Sequence, residues 1–387
     1  MTHVSVAAGA KLTARSEPLA DLGDLLDHLA PGGFAWLDGD CGFVTAGVAA
    51  IVMPDAAESM LAGLAREVGA DTPAAAGPRA VGALPFQGIG RMVVPARIVA
   101  RDTDGQAWST TITAAEAPGP LRVARRQPTR FDVHAASSRD DWDSAVHQAL
   151  ALIDSGALAK VVLARAVDVH ADCPFDRRAI LDYLRTAQRG SRVYADGGFI
   201  GASPELLVTR HGARVEARPL AGTGTQPEQL LASTKDAWEH QVVVDAVAAQ
   251  LATVCTDLDI VGPEALRFAD ITHLATTITA RAGDASALAL AQMLHPTPAV
   301  GGRPTELALH TINRLERFDR GRYAGPCGWV DAHGDGEFVV ALRGAEIDGA
   351  AARLVAGAGI VAGSDPAAEW TETQAKLEPI LRALIRP

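Results

Sequence analysis

A chain of 387 residues with 35 Lys and Arg against 46 Asp and Glu carries a formal net charge of -11, and 48% of its residues are hydrophobic. That balance fits a globular protein with a large core and argues against a nucleic-acid binder or a protein held by charge on an anionic membrane. It leaves room for an anionic small molecule, because local cations or a metal can reverse the field inside a cleft.

The first 20 residues hold no unbroken apolar core of the signal-peptide kind, and no stretch reaches 18 uninterrupted apolar residues. A cytoplasmic location without a membrane partner is therefore expected. Cys41, Cys173, Cys255 and Cys327 are far apart and form no CxxC, so buried thiols are expected, with no disulfide framework or zinc site. Punctuation by Pro and Gly at residues 71–90 reads as a loop feeding a strand, and at 116–130 as a link between an N-terminal third and the rest. Residues 140–153 have helical periodicity, with Trp142, Val146, Ala149 and Ile153 in one apolar stripe. Strands are expected at 160–169, 193–201, 205–210 and 213–218, and a helix at 234–254. Residues 336–347 and 352–355 read as a hairpin turning through Asp348 and Gly349. A last helix starts at Asp365 and Pro366, with Asp as the cap and Pro in the first turn. The strands follow one another with short links instead of alternating with helices. The fold class expected is therefore α+β on antiparallel sheets, not a doubly wound parallel sheet.

Several of these segments carry candidate chemistry. On the last helix Glu369, Glu372 and Lys376 fall at i, i+3 and i+7 on one face, just after the glycines of AGAGIVAG. Asp236 and Glu239 repeat the i, i+3 spacing in STKDAWEH, where Ser233 or Thr234 is the expected cap. Two carboxylate pairs supply the hard oxygen donors that Mg²⁺ prefers. A solvated face with a Glu372–Lys376 pair, and an acidic first turn complementing a helix dipole, account for the same residues without a metal. Lys160 stands inside apolar KVVLAR, sharing a strand face with Val162 and Ala164 and opposite Val161, Leu163 and Arg165. Such a lysine either snorkels from the strand end or, when buried, can serve as a neutral general base. Glu205 enters an apolar strand after GASP; in a dry cleft it is a candidate general acid, at a sheet edge an exposed carboxylate. The loop HPTPAVGG, residues 295–302, is stiffened by its prolines and shapes either a pocket or a plain turn. Arg343 in FVVALRG can clamp a carboxylate or pair with a neighbouring acid, and His273 in ITHLA either orients a hydroxyl or is a satisfied core histidine. Walker A, GxGxxG, GxSxG and HExxH patterns are missing.

Taken in order, nine segments resemble the chorismate-utilising enzyme family: KVVLAR (160–165), GASPELL (201–207), RPLAGTGT (218–225), KDAWEH (235–240), ITHLATTI (271–278), HPTPAVGG (295–302), YAGPCGWVD (323–331), FVVALRGAEI (338–347) and AGAGIVAGSDPAAEWTETQAK (356–376). They span residues 131–385, while residues 1–130 match only diffusely. The resemblance implies an α/β sandwich: a large antiparallel sheet assembly flanked by helices, with a central cleft. It implies one chorismate-binding domain over residues 1–387, its N-terminal 130 residues divergent, acting as a monomer. Mg²⁺ is the implied cofactor, with Glu239 and Glu372 as direct ligands and Asp236 and Glu369 in support through water. Arg343, Lys376, Tyr323 and the backbone around Gly357 would take the enolpyruvyl carboxylate. Lys160 would activate water and Glu205 would protonate the departing C4 hydroxyl. Leu220, Gly222, Thr223 and His273 would line the ring site.

Family members that use ammonia lack the lysine found here at 160, so water is the implied nucleophile. Salicylate-forming members tend to carry Thr where this chain has Ala299, which favours stopping at isochorismate. The expected activity is an isochorismate synthase, an isomerase serving a siderophore or menaquinone route. The alternatives are a salicylate synthase and a catalytically silent chorismate-binding subunit. Ala237 and Trp238 depart from the Arg that often follows KD in the family, and they are expected to point away from the carboxylate face.

Overall fold

The computed structural model describes residues 12–69, 71–73, 75–113, 119–121, 127–268 and 271–386. Two large sheets form the frame. The 13-stranded sheet runs through Phe131–Ala135, Lys160–Ala171, Ala351–Ile360, Gly344–Asp348, Phe199–Ser203 and Arg192–Asp196. It continues into Phe34–Asp38, Cys41–Ala46, Arg97–Arg101, Ala107–Thr113, Thr13–Pro18 and Ala65–Val68, with Gly302–Arg303 pairing Lys160–Ala171 at the side. The 10-stranded sheet runs from Leu220–Gly224 through Ile271–Ala282, Arg214–Arg218, Leu206–His211, Gly336–Val340, Pro326–Asp331, Arg79–Ala83 and Met92–Val94 to Ala50–Val52. Cys255–Phe268 pairs Ile271–Ala282 beside that path. Thr13–Pro18 pairs Ala65–Val68 in parallel; the other pairings among the described residues are antiparallel, as the short links require. This is the expected α+β architecture.

Strands from the N-terminal part continue both sheets. Phe34–Asp38 pairs Arg192–Asp196, and Arg79–Ala83 pairs Pro326–Asp331. The sheets meet face to face over an aromatic layer of Phe34, Trp36, Phe43, Tyr194 and Phe199 against Val81, Cys327 and Val339. Helices cover the outer faces. Ile180, Leu181 and Leu184 of Arg177–Ala187 and Leu377, Ile380 and Leu384 of Pro366–Ile385 pack under the 13-stranded sheet. Val243, Val247 and Leu251 of Thr234–Leu251 and Leu288, Leu290 and Leu294 of Ala287–Leu294 pack over the other. Trp142, Val146, Ala149 and Ile153 form the buried stripe of Arg139–Asp154, as their spacing predicts.

Three expectations need correction. Residues 336–347 are not one strand: Gly336–Val340 belongs to the 10-stranded sheet and Gly344–Asp348 to the 13-stranded one. The chain changes sheets between them, at Arg343, whose φ of 51° is a left-handed conformation rare for a residue with a Cβ. The stretch 193–201 is two strands of a hairpin, Arg192–Asp196 and Phe199–Ser203. Of the cysteines, Cys255 and Cys327 are buried, whereas Cys41 and Cys173 are partly exposed. Residues 114–118 and 122–126 of the expected link lie outside the described residues. Among the described residues no helix is long and apolar enough to cross a membrane.

Candidate active site

Arg343, at the sheet change, lines a cleft between the two sheets' ends. Glu205, Leu220, Gly222, Thr223, Glu239, His273, Ala299, Tyr323, Arg343, Gly357, Glu372 and Lys376 all line it, from segments up to 171 positions apart. Of the residues singled out in the sequence, Lys160, Asp236 and Glu369 stand behind this lining.

Strand Lys160–Ala171 forms one wall. Lys160 does not snorkel: it is 1% exposed, and its Nζ lies 2.9 Å from Glu239 Oε1. Gly359 pairs with Val162 on the neighbouring strand. A Cβ at Gly359 would collide with Glu239 Oε1 and approach the Lys160 Cε to 3.1 Å. The missing side chain of Gly359 thus leaves the space into which the Glu239 carboxylate reaches. Gly359 is not among the residues the sequence singles out; its signal is the period-two spacing from Gly357 on the same strand face.

Glu205 sits just before strand Leu206–His211 and is 3% exposed. Burial pushes its carboxyl up to about 7; a backbone N–H from Leu220 and the charges of Lys160, Lys376 and Arg343 oppose that only in part. Lys160 and Glu205 are therefore close enough for their charges to act on each other.

Arg343 and His273 form a unit. Arg343 Nη2 is 3.0 Å from His273 Nε2, and His273 Nδ1 is 3.1 Å from Gly222 O. An arginine only donates, so Nε2 is the acceptor and Nδ1–H donates to the carbonyl. Burial, then Arg343 and Lys376, hold the imidazole well below its usual range, so the ring is neutral. Both of its nitrogens are engaged, which makes it a support for the guanidinium and not a free donor to a hydroxyl. Gly222 supplies the carbonyl through a bulge in the pairing of Leu220–Gly224 with Ile271–Ala282, at a φ of 74°. Arg343 itself is pulled down to about 10 by burial, opposed by Tyr323, Glu372 and Glu205. Beside it, burial raises the Tyr323 hydroxyl to about 12, and the Gly357 N–H bonds to it.

Helix Pro366–Ile385 starts as expected, with Asp365 Oδ1 accepting from Ala368 N. Its acidic face is not a solvated one. Glu369 is 3% exposed, and its carboxyl is raised by burial and then by Glu372. Lys376 Nζ bonds Glu372 Oε1 at 2.6 Å and Gly357 O at 3.0 Å. The helix is docked by Arg165, which stacks 3.9 Å over Trp370 and bonds Thr373 and Gln374. On the other acidic helix, Thr234–Leu251, Ser233 is the cap and Glu239 turns inward, while Ala237 and Trp238 are exposed as expected. Asp236 abuts Gly222.

The model of the family described as "Chorismate binding enzyme" matches residues 93–385. The chain belongs to that family. This chorismate-binding enzyme is 37% identical over 340 residues to isochorismate synthase DhbC of Bacillus subtilis, covering 79% of this chain and 81% of that one. It is 42% identical over 295 residues to a putative isochorismate synthase MenF of Mycobacterium tuberculosis, 69% of this chain and 77% of that one. The solved menaquinone-specific isochorismate synthase MenF of Escherichia coli superposes with a TM-score of 0.83 at 28% identity, over 97% of this chain and 95% of that one.

The family resemblance implies Mg²⁺, and the donor set can be tested for it. Three of the four candidate carboxylates each face an ammonium: Glu239 with Lys160, Glu369 with Lys235 and Glu372 with Lys376. Among the described residues, no three or more His, Cys, Asp or Glu side chains are gathered as a ready-made metal cluster. The oxygen donors nevertheless suit a hard cation, and a cation already stands among them. Lys235 is bonded to Glu369 and is also attracted by Glu239 and Asp236. The carboxylates thus fit Mg²⁺ in charge and donor type.

Proposed function

We propose that this chorismate-binding enzyme is an Mg²⁺-dependent isochorismate synthase, adding water at C2 of chorismate as the C4 hydroxyl leaves. The reading rests on one juxtaposition: a cation pair, Arg343 and Lys376, and an acidic pair, Glu239 and Glu372, line the same cleft as a carboxyl that is partly protonated at neutral pH, Glu205. The relatives named isochorismate synthases support the reaction assigned to it.

Arg343, held by His273, and Lys376 bind the enolpyruvyl carboxylate with Tyr323 and the Gly357 backbone at their side. Glu239 and Glu372, with Asp236 and Glu369 around them, would hold Mg²⁺, which would supply positive charge to neutralise the ring carboxylate. Lys160, buried beside Glu239, is the base that takes the proton of the attacking water. Glu205 gives its proton to the C4 oxygen, and burial is what keeps that proton available. Leu220, Thr223 and Ala299 shape the ring site. Because one hydroxyl enters as another leaves, the reaction is an isomerisation and runs both ways.

Incubation of the pure protein with chorismate and Mg²⁺, followed by chromatography, tests the reading. Isochorismate in equilibrium with chorismate is the expected outcome. Salicylate with pyruvate would move the chain to a lyase-type activity, anthranilate formed in ammonia would overturn the role of Lys160, and the absence of turnover would leave a binding subunit.

A further inference from the structure

Lys235 has no part in the mechanism above, yet its ammonium stands among the acids. Its Nζ lies 2.8 Å from Glu369 Oε1. Burial works against its charge, but Glu369, Glu239 and Asp236 outweigh burial and hold the ammonium above its usual range. The other two lysines of the group are tied more firmly. Lys160 is buried at 1% exposure, and Lys376 is bonded to a backbone carbonyl as well as to Glu372. The Lys235 side chain is 40% exposed, against 17% for Lys376 and 1% for Lys160, so it is the most open of the three to solvent. Glu369, at 4%, cannot follow it. If Lys235 left with nothing in its place, Glu369 would be a buried carboxylate beside Glu372, which is unfavourable.

We propose that Lys235 is a built-in counter-cation of the acidic group, held by Glu369 in the metal-free enzyme and displaced to solvent when a divalent cation enters. The inference rests on the metal reading under Proposed function and adds a residue to it. The exchange conserves the pairing of Glu369 while raising the charge at that one position from one to two. It keeps the metal-free cleft from being left with unpaired carboxylates that would repel an anionic substrate. Its consequence is a threshold: Lys235 competes with the metal, so the concentration of Mg²⁺ needed is higher than the carboxylates alone would set.

Two measurements on the full chain test this. The first is titration of the wild type, K235M and K235R with Mg²⁺ by calorimetry and with Mn²⁺ by electron paramagnetic resonance. Removing one partly exposed ammonium at ion-pair distance should tighten metal binding by about fivefold, and K235R should stay close to wild type. Unchanged or weaker binding by K235M would overturn the proposal and leave Lys235 as a structural tie for Glu369. The second uses the wild type alone and so does not depend on a variant that folds. Acylation of Lys235 by acetic anhydride, read by mass spectrometry, should accelerate when Mg²⁺ is added, and an unchanged or slower rate would refute displacement. Glu239→Gln separates the two readings. If it loses metal binding while K235M behaves as wild type, only the role of Lys235 fails. If neither the wild type nor K235M binds a divalent cation, the metal reading fails and the proposal with it.

Discussion

Glu205→Gln should make this enzyme more stable at alkaline pH while stopping its chemistry. The Glu205 carboxyl is raised from 4.5 to about 7 because it is buried. In an unfolded chain it ionises near 4.5, so between 4.5 and 7 the folded state holds a proton that the unfolded state has lost. Stability contributed by this group is therefore fully present below 4.5, falls as pH rises through the window, and is lost above about 7. A shift of this size corresponds to about 3 kcal/mol. Gln is neutral throughout and has no such window. Chemical denaturation of both proteins at pH 4.5 and pH 8 should show the gap between them widening by up to about 3 kcal/mol in favour of the variant at the higher pH. Turnover should fall by roughly 10²–10⁴, the usual contribution of a positioned acid. Wild-type kcat/KM should decline as pH climbs past about 7, where the acid form is depleted. A stability gap that is the same at both pH values would refute the buried, proton-holding carboxyl. Near-normal turnover by the variant would remove Glu205 from the chemistry.

Lys160→Ala should abolish turnover while chorismate binding, followed by ligand fluorescence or calorimetry, stays within about threefold of wild type, since the carboxylate clamp lies on other segments, Arg343 between two strands and Lys376 on the last helix. Loss of binding with normal turnover at saturation would reverse that assignment. Gly359→Ala places a methyl against Glu239 Oε1, a flexible side-chain end, so melting should move little while metal affinity drops at least about tenfold; unchanged calorimetry would remove Gly359 from the site. His273→Ala frees Arg343, and KM should rise by about tenfold, the effect of losing one support to a buried cation. The same histidine is neutral across the working range, so the wild-type pH profile should lack a limb that disappears in this variant; finding such a limb would contradict the tautomer deduced from Arg343.

Much of the site could be read in the chain because local rules bear on it directly. Helical spacing put Glu369, Glu372 and Lys376 on one face, Asp365 and the Ser233–Thr234 pair marked where both acidic helices begin, and the apolar run singled out Lys160 without deciding whether it snorkels or is buried. Short links between strands were enough for the antiparallel α+β class. Other features depend on which surfaces meet. Whether the last helix showed its acids to water or to the interior was settled only when Arg165 docked it against strand Lys160–Ala171. The pairing of Lys160 with Glu239 depends on a glycine two registers away on another strand. Arg343 looked like a residue within one strand; the structure makes it the joint between two sheets, steadied by a histidine 70 positions earlier. Sequence alone thus determined the types of group and their local spacing, because helix and strand periodicity are short-range. Tertiary structure decided the burial that raises Glu205 and the partners that neutralise each acid, because desolvation and charge act through space between segments that only the fold brings together.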